Sequence, residues 1–474
     1  MTRHWLTLAL FATLFATLPF SAMADLPDNW RNRWWMGLIQ ETALPLNLTF
    51  DGDTLAPVLY SPLQTSEPIH PSSWSFQSDT LRLQVKSLGV KMTLCFHASD
   101  TTFTGRFKQG LLVADITLRP SQGLFKLNRP QEPHPPFTYT ERALILTRKD
   151  KTGATINIGA TLTIPDSGSE SPNGKSPCVL LISGSGMQNR DEEIMGHKPF
   201  RVIADYLARH GIASLRYDDR GTGESNGDVA SITTDGLADD AEWLFKWLCK
   251  QPGVDPKRVG IAGHSEGGVI APMIASRNRS VAFVILLAAP GMTGAELLLQ
   301  QNHLLYTASG VNDTLVGIRL RFLEECFNLA SSADEASLEE ACKALADSHA
   351  AGLSKNERKK IGLSRYDAIQ MAAQLRIPWM RRFLTLDPTV YLSKIRCPVL
   401  ALAGSHDLQV PAAQNIEAIT RCVNPKLLTT KQFDNLNHLF QHCDRGLPSE
   451  YMLIEETFSI EALDTIVRWV QHIL

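Results

Sequence analysis

The segment Gly263-His264-Ser265-Glu266-Gly267-Gly268 sets a serine between glycines, after the apolar run 258–262 and at the head of a helical pattern. A serine on so sharp a strand-to-helix turn takes strained backbone angles, and glycines at 263 and 267 remove side chains that would clash. Its Oγ is then exposed above the strands, where a helix N-terminus favours developing negative charge. That is a nucleophile for acyl transfer. A serine hydroxyl needs a base to take its proton, and the base needs a carboxylate to orient it. Asp407 follows the strand-like run 399–402, and His438 follows the strand-like run 427–433. Asp407 is therefore the expected acid and His438 the expected base. Among rivals, His406 precedes the acid and His442 lies a helical turn beyond His438, while Asp434 and Asp444 fall late for an acid. The oxyanion needs backbone N–H donors. One is expected from Glu266, directly after the nucleophile. The other is expected from Ser185 or Gly186, in the turn Ser183-Gly184-Ser185-Gly186 that ends the apolar run 178–183. No Gly-Lys-Ser/Thr follows that turn, which argues against a nucleotide-phosphate loop.

Two further groups have a bland reading that outweighs a catalytic one. Asp219 and Arg220, within Tyr217-Asp218-Asp219-Arg220-Gly221, are expected to pin their loop. The Glu266 side chain has two roles open to it, binding a substrate ammonium or bonding locally, and the local role is favoured.

These residues need a scaffold with several strands ending at one edge. After about residue 140, β-branched runs at 178–183, 212–217, 258–262, 282–288 and 399–402 alternate with helical patterns at 199–209, 235–249 and 267–277. Such alternation implies a mostly parallel sheet covered on both faces. From about 292 to 388 helix formers interrupt the rhythm, as a cap inserted between two strands. This cap is expected to roof Ser265 with apolar side chains, Trp379 and Phe383 among them, and to suit small or medium acyl groups. Residues 25–119 alternate with period two, as in a small sandwich or barrel. They contain no candidate catalytic group. Pro120, Pro130, Pro133, Pro135 and Pro136 mark residues 120–140 as a stiff linker, leaving 141–474 as the α/β domain.

Residues 1–24 read as a secretory signal: basic Arg3 and His4, an apolar stretch, then Ala22-Met23-Ala24 before a cleavage point at Asp25. The protein is expected to be exported, periplasmic or secreted, with no stable membrane insertion once the signal is cleaved. Lys+Arg 46 against Asp+Glu 49 gives a net charge of −3, which points to no nucleic-acid partner. None of the 8 cysteines forms a Cys-x-x-Cys pair, so neither a metal nor a cofactor is expected, and a Cys326–Cys342 pairing is only weakly suggested. A homo-oligomer is left open.

Taken together, Ser183-Gly184-Ser185-Gly186-x-Gln188-x-Arg190-Asp191, Arg216-Tyr217-Asp218-Asp219-Arg220-Gly221, the Ser265 turn, Gly404-x-x-Asp407-x-Gln409-Val410-Pro411 and Asn437-His438-Leu439-Phe440 resemble a bacterial α/β-hydrolase family. Its members are exported carboxylesterases related to sequences described as serine aminopeptidase S33-like. The resemblance extends to Trp35-x-Gly37 and Leu59-Tyr60-Ser61-Pro62-x-Gln64, and to Pro378-Trp379 and Asp387-Pro388 in the cap. Met187 stands where the family usually has Pro, and Asn189 where it usually has Asp. The resemblance implies an α/β-hydrolase fold with a helical cap, preceded by a small all-β domain. It also implies esterase activity on a small-molecule ester of short or medium acyl chain, through an acyl-enzyme; the alternative is an aminopeptidase or amidase using the same triad.

Overall fold

A computed structural model describes residues 27–474 apart from 40–43, 63–66, 111, 151–152, 167–173 and 333–335. The segment read as a targeting signal, residues 1–24, lies outside the described residues. The chain forms two compact units, Met1–Asn128 and Arg129–Leu474.

In the first unit the period-two runs become β1 (Trp34–Ile39), β2 (Leu44–Phe50), β3 (Pro57–Tyr60), β4 (Ser73–Gln77), β5 (Thr80–Val85), β6 (Val90–His97), β7 (Thr102–Gln109) and β8 (Leu112–Ser121). They pair antiparallel in one 8-stranded sheet of order β3-β2-β1-β8-β7-β6-β5-β4. Of the sandwich or barrel expected, one continuous sheet departs from the two packed sheets of a sandwich. Alternation buries one side of β1, β5 and β6, and Trp30, Trp35, Phe50 and Phe103 meet edge-on or tilted in the core.

The two units divide between Asn128 and Arg129, inside the proline-rich stretch 120–140. β8 runs past residue 119, and the proline-rich stretch is not a free linker along its length. Arg129 donates to the carbonyls of Met195, Met452 and Ile454 at 2.8–3.0 Å, and Gln131 donates to Phe458 O at 2.7 Å. Glu132 pairs with Lys198 at 2.7 Å. Arg129, Gln131 and Glu132 thus tie residues 129–132 into the unit to which they belong.

The second unit contains β9 (Tyr139–Lys149), β10 (Thr155–Pro165), β11 (Ser176–Ile182), α1 (Pro199–Arg209), β12 (Ala213–Tyr217), α2 (Thr234–Leu248), β13 (Val254–His264), α3 (Gly267–Arg277) and β14 (Val284–Leu287). The cap follows as α4 (Gly294–Ala308), α5 (Asp313–Ser332), α6 (Leu338–His349), α7 (Lys355–Lys360), α8 (Arg365–Leu375), α9 (Pro378–Thr385) and α10 (Thr389–Leu392). The chain then closes with β15 (Val399–Gly404), α11 (Ala412–Cys422), β16 (Leu428–Phe433) and α12 (Ile460–Ile473). The sheet order is β16-β15-β14-β13-β11-β12-β10-β9, with β11 to β16 parallel and β9 and β10 antiparallel.

β11 shows why the run reads as continuously apolar. Cys178, Leu180 and Ile182 pack into the core facing α2, α3 and α11, while Val179 and Leu181 pack into the core facing α1 and α12. Both faces are covered, so every position is buried. This is the α/β-hydrolase fold with a helical cap, preceded in the chain by an all-β unit.

The cap has its own core, built on Phe322, Leu338, Ala368 and Leu375. Capping boxes at Thr293/Glu296, Ser354/Glu357 and Ser364/Asp367 start α4, α7 and α8, each satisfying amides that a helix start leaves free. Cys326 and Cys342 meet in the cap core with sulfurs 3.9 Å apart, as unlinked thiols.

Candidate active site

Topology decides where the site forms. β11 and β13 are sheet neighbours, with Ile182 opposite Gly263. The chain leaves β11 for β12 on one side and returns at β13 on the other. The loops after β11 and β13 therefore diverge, and a crevice opens at their carboxyl ends. Ser183-Gly184-Ser185-Gly186 leaves β11 there and Ser265 leaves β13. Because β15 and β16 run parallel to them, Asp407 and His438 emerge at the same edge.

Ser265 has φ of 53°, in the left-handed region that a serine rarely occupies. The turn can close around it because Gly263 and Gly267, two positions away on either side, carry no side chains. A Cβ on Gly263 would lie 1.9 Å from Gly267 O, and a Cβ on Gly267 would lie 2.2 Å from Ile182 O. The Gly268 amide donates to Ser265 O at 2.8 Å and locks the turn into α3.

His438 Nδ1 donates to Asp407 Oδ2 at 2.8 Å. Asp407 Oδ1 accepts from the amides of Gln409 and Val410, both at 2.8 Å. The carboxylate is therefore fixed on both oxygens, and both side chains are buried. The rivals face elsewhere. His442 pairs with Glu456 at 2.8 Å, His406 lies against Cys443 Sγ, and Asp434 and Asp444 are exposed. Ser265 Oγ and the His438 ring do not hydrogen-bond directly in the described structure, a gap that commonly closes only when substrate binds.

The turn after β11 is clamped from two sides. Glu192 Oε1 accepts from the Gly184 amide at 2.7 Å. Asp219 Oδ2 accepts from Ser183 Oγ at 3.1 Å and from the Gln188 amide at 3.2 Å. The Gly184 amide is thus occupied. Among the described residues, the amides of Ser185, Gly186 and Glu266 donate no hydrogen bond inside the chain, which leaves them open to an oxyanion.

Asp219 thus holds a neighbouring turn as well as its own loop. Arg220 is paired with Asp240 of α2 at 2.5 Å, and Asp218 with Arg190 at 2.5 Å. For Glu266 the local role is the one seen. Its Oε1 accepts from Thr234 Oγ1 at 2.6 Å and from Trp379 Nε1 of the cap at 2.8 Å. Burial pushes its carboxyl up, towards the neutral form. Trp379 also stacks on Phe383 with ring centroids 5.2 Å apart, so one of the expected cap aromatics bonds to the residue next to the nucleophile and the other supports it.

Sequence reasoning passed over Glu192 altogether and treated His264 as motif filler. Yet Glu192 Oε1 also lies 2.9 Å from His264 Nδ1, and both side chains are buried.

Burial also raises Asp219, to about 8. Its folded value thus lies above that of an unfolded aspartate, about 3.9. The stability it contributes is fully present below about pH 4 and is lost as pH rises towards 8, because the unfolded chain gives up the proton first. Asp219→Asn keeps an acceptor for Ser183 and Gln188 but cannot ionise. Thermal midpoints at pH 5 and pH 8 should therefore fall less in this variant than in the wild type; an equal fall would show that Asp219 does not titrate in this range.

Esterase EstD of Thermotoga maritima is 28% identical to this chain over 302 residues, 63% of this chain and 62% of that protein. A multifunctional-autoprocessing repeats-in-toxin protein of Vibrio cholerae is 34% identical over 114 residues, 24% of this chain and 2% of the toxin. The chain therefore spans less than two thirds of the length of either relative. A solved esterase structure from Pyrococcus furiosus is 13% identical with a TM-score of 0.41, covering 74% of this chain and 99% of that one. Residues 198–442, which carry Ser265, Asp407 and His438, match the family described as serine aminopeptidase, S33, over more than half of the chain, and it is to this hydrolase family that the chain belongs.

Proposed function

We propose that the protein cleaves carboxylic esters of short- to medium-chain acids through an acyl-enzyme. Ser265 Oγ attacks the acyl carbon while His438 Nε2 takes its proton, and Asp407 holds the imidazole in the tautomer that leaves Nε2 free to do so. The oxyanion sits against the Glu266 amide and that of Ser185 or Gly186, each donor contributing about 2.7–4 kcal/mol. His438 then protonates the leaving alcohol, and a water activated by the same imidazole releases the acid. The observation that carries this reading is the buried Asp407–His438 pair, at the sheet edge that also holds a strained Ser265.

The family's description favours a second reading, an aminopeptidase with the same triad. Against it stands Glu266, the carboxylate nearest the nucleophile in sequence. It is engaged by Thr234 and Trp379 and raised by burial, and a neutral carboxyl attracts an ammonium weakly. Turnover of p-nitrophenyl butyrate should exceed that of amino-acyl p-nitroanilides by orders of magnitude, and the reverse order would establish the aminopeptidase. We further propose that the protein acts outside the cytoplasm on a small-molecule ester, without a nucleic-acid partner. A mature N-terminus at Asp25, read by sequencing, is the check on export.

A further inference from the structure

We propose that Glu192 and His264 are positioning residues, which set the oxyanion turn, the nucleophile and the base relative to one another. The inference rests on the Ser265–His438–Asp407 reading and concerns what holds that triad together. Glu192 lies between β11 and α1, is 1% exposed, and has φ of 51°. A buried carboxylate on left-handed backbone is unfavourable on both counts unless partners hold it. Its Oε1 accepts from the Gly184 amide at 2.7 Å and from His264 Nδ1 at 2.9 Å. The other nitrogen of His264, Nε2, lies 2.9 Å from the backbone oxygen of His438. A carbonyl can only accept, so Nε2 carries a proton, and the contact of Nδ1 with Glu192 holds a second proton between the two groups. Burial opposes the charge, and Glu192, the His438 carbonyl and Asp407 together outweigh burial and hold the imidazole above its ordinary range.

These three hydrogen bonds join three loops that sequence keeps far apart. Gly184 begins the oxyanion turn, His264 precedes the nucleophile, and the His438 carbonyl belongs to the base itself. The His264 and His438 rings also lie against each other, centroids 4.7 Å apart and planes tilted by 45°. Asp407 orients the His438 ring from its Nδ1, whereas His264 fixes the backbone from which that ring projects. With no direct bond between Ser265 and His438, His264 carries a hydrogen bond from the nucleophile's strand to the backbone of the base, and Glu192 holds the His264 ring that makes it. Misplacing reacting groups by about 1 Å costs about a hundredfold in rate.

The test measures the rate and the final stoichiometry of Ser265 labelling by a fluorophosphonate, on the full chain. Glu192→Ala and His264→Phe should label about a hundredfold more slowly than wild type yet reach the same stoichiometry. Glu192→Gln keeps the volume and one acceptor but not the charge, and should label about threefold to tenfold more slowly than wild type. A purely structural role gives the opposite pattern: fewer labelled sites, each reacting at the wild-type rate. That pattern, or unchanged rates in folded variants, overturns the proposal. Should Glu192→Ala fail to fold, Glu192→Gln decides: slowing of at least about threefold at full stoichiometry supports the proposal, and the wild-type rate overturns it. An unlabelled wild-type chain would overturn the triad reading and this inference with it, whereas a labelled wild type with unaffected variants overturns this inference alone.

Discussion

Ser265→Ala should lower kcat on a short-chain ester by about a million-fold and abolish fluorophosphonate labelling, while the thermal midpoint stays at or above that of the wild type. The fold does not depend on the hydroxyl. Among the described residues Ser265 Oγ makes no hydrogen bond, and the turn is held by backbone, through Gly268 N to Ser265 O at 2.8 Å and Ser265 N to Leu287 O at 2.9 Å. What the substitution removes is the atom that forms the acyl bond. Because Ser265 and His438 act as a unit, the double variant with His438→Ala should be no slower than Ser265→Ala alone. Residual catalysis above about one per cent would move the nucleophile elsewhere.

Much of this site was legible because its parts lie at the ends of apolar runs. The stretch 399–402 is buried on both faces of the sheet, so it contains no polar residue to confuse the reading, and Asp407 stands out where the run stops. The same logic located His438 after β16, although β16 is an edge strand with exposed Thr429, Thr430 and Gln432 and is less apolar. The nucleophile turn was marked by glycines whose absence of Cβ the strand–helix junction requires. Glu192 carried no such mark. Its significance comes from bonds to Gly184 and His264, the latter 72 residues away, and nothing in its local sequence distinguishes it from a surface glutamate. The anchoring of residues 129–132 carried no local mark for a similar reason. Prolines dominate the composition of this stretch, but Arg129 and Gln131 reach carbonyls more than 300 residues further on. The cap was read only as helix-forming sequence, although Thr293-x-x-Glu296 and Ser354-x-x-Glu357 are local signals that mark where two of its helices begin.

Asp407→Asn should lower kcat by about ten-thousandfold without unfolding the chain, and the reason lies in what holds the carboxylate. Oδ1 accepts from two backbone amides, Gln409 and Val410, each at 2.8 Å, whereas Oδ2 accepts from His438 Nδ1. An asparagine here must keep its oxygen towards the two amides, because its NH₂ in that place would set donors against donors. Its NH₂ group therefore faces His438 Nδ1 and donates to it. The imidazole then carries its proton on Nε2, the nitrogen that must be unprotonated to accept from Ser265. The ring stays in place and the base is lost. The packing of the surrounding side chains should be unchanged, and the thermal midpoint should fall by only a few degrees, as expected for about 1 kcal/mol. Loss of less than about tenfold in kcat would mean that the tautomer is set by something other than Asp407, and that His438 is held chiefly through its backbone.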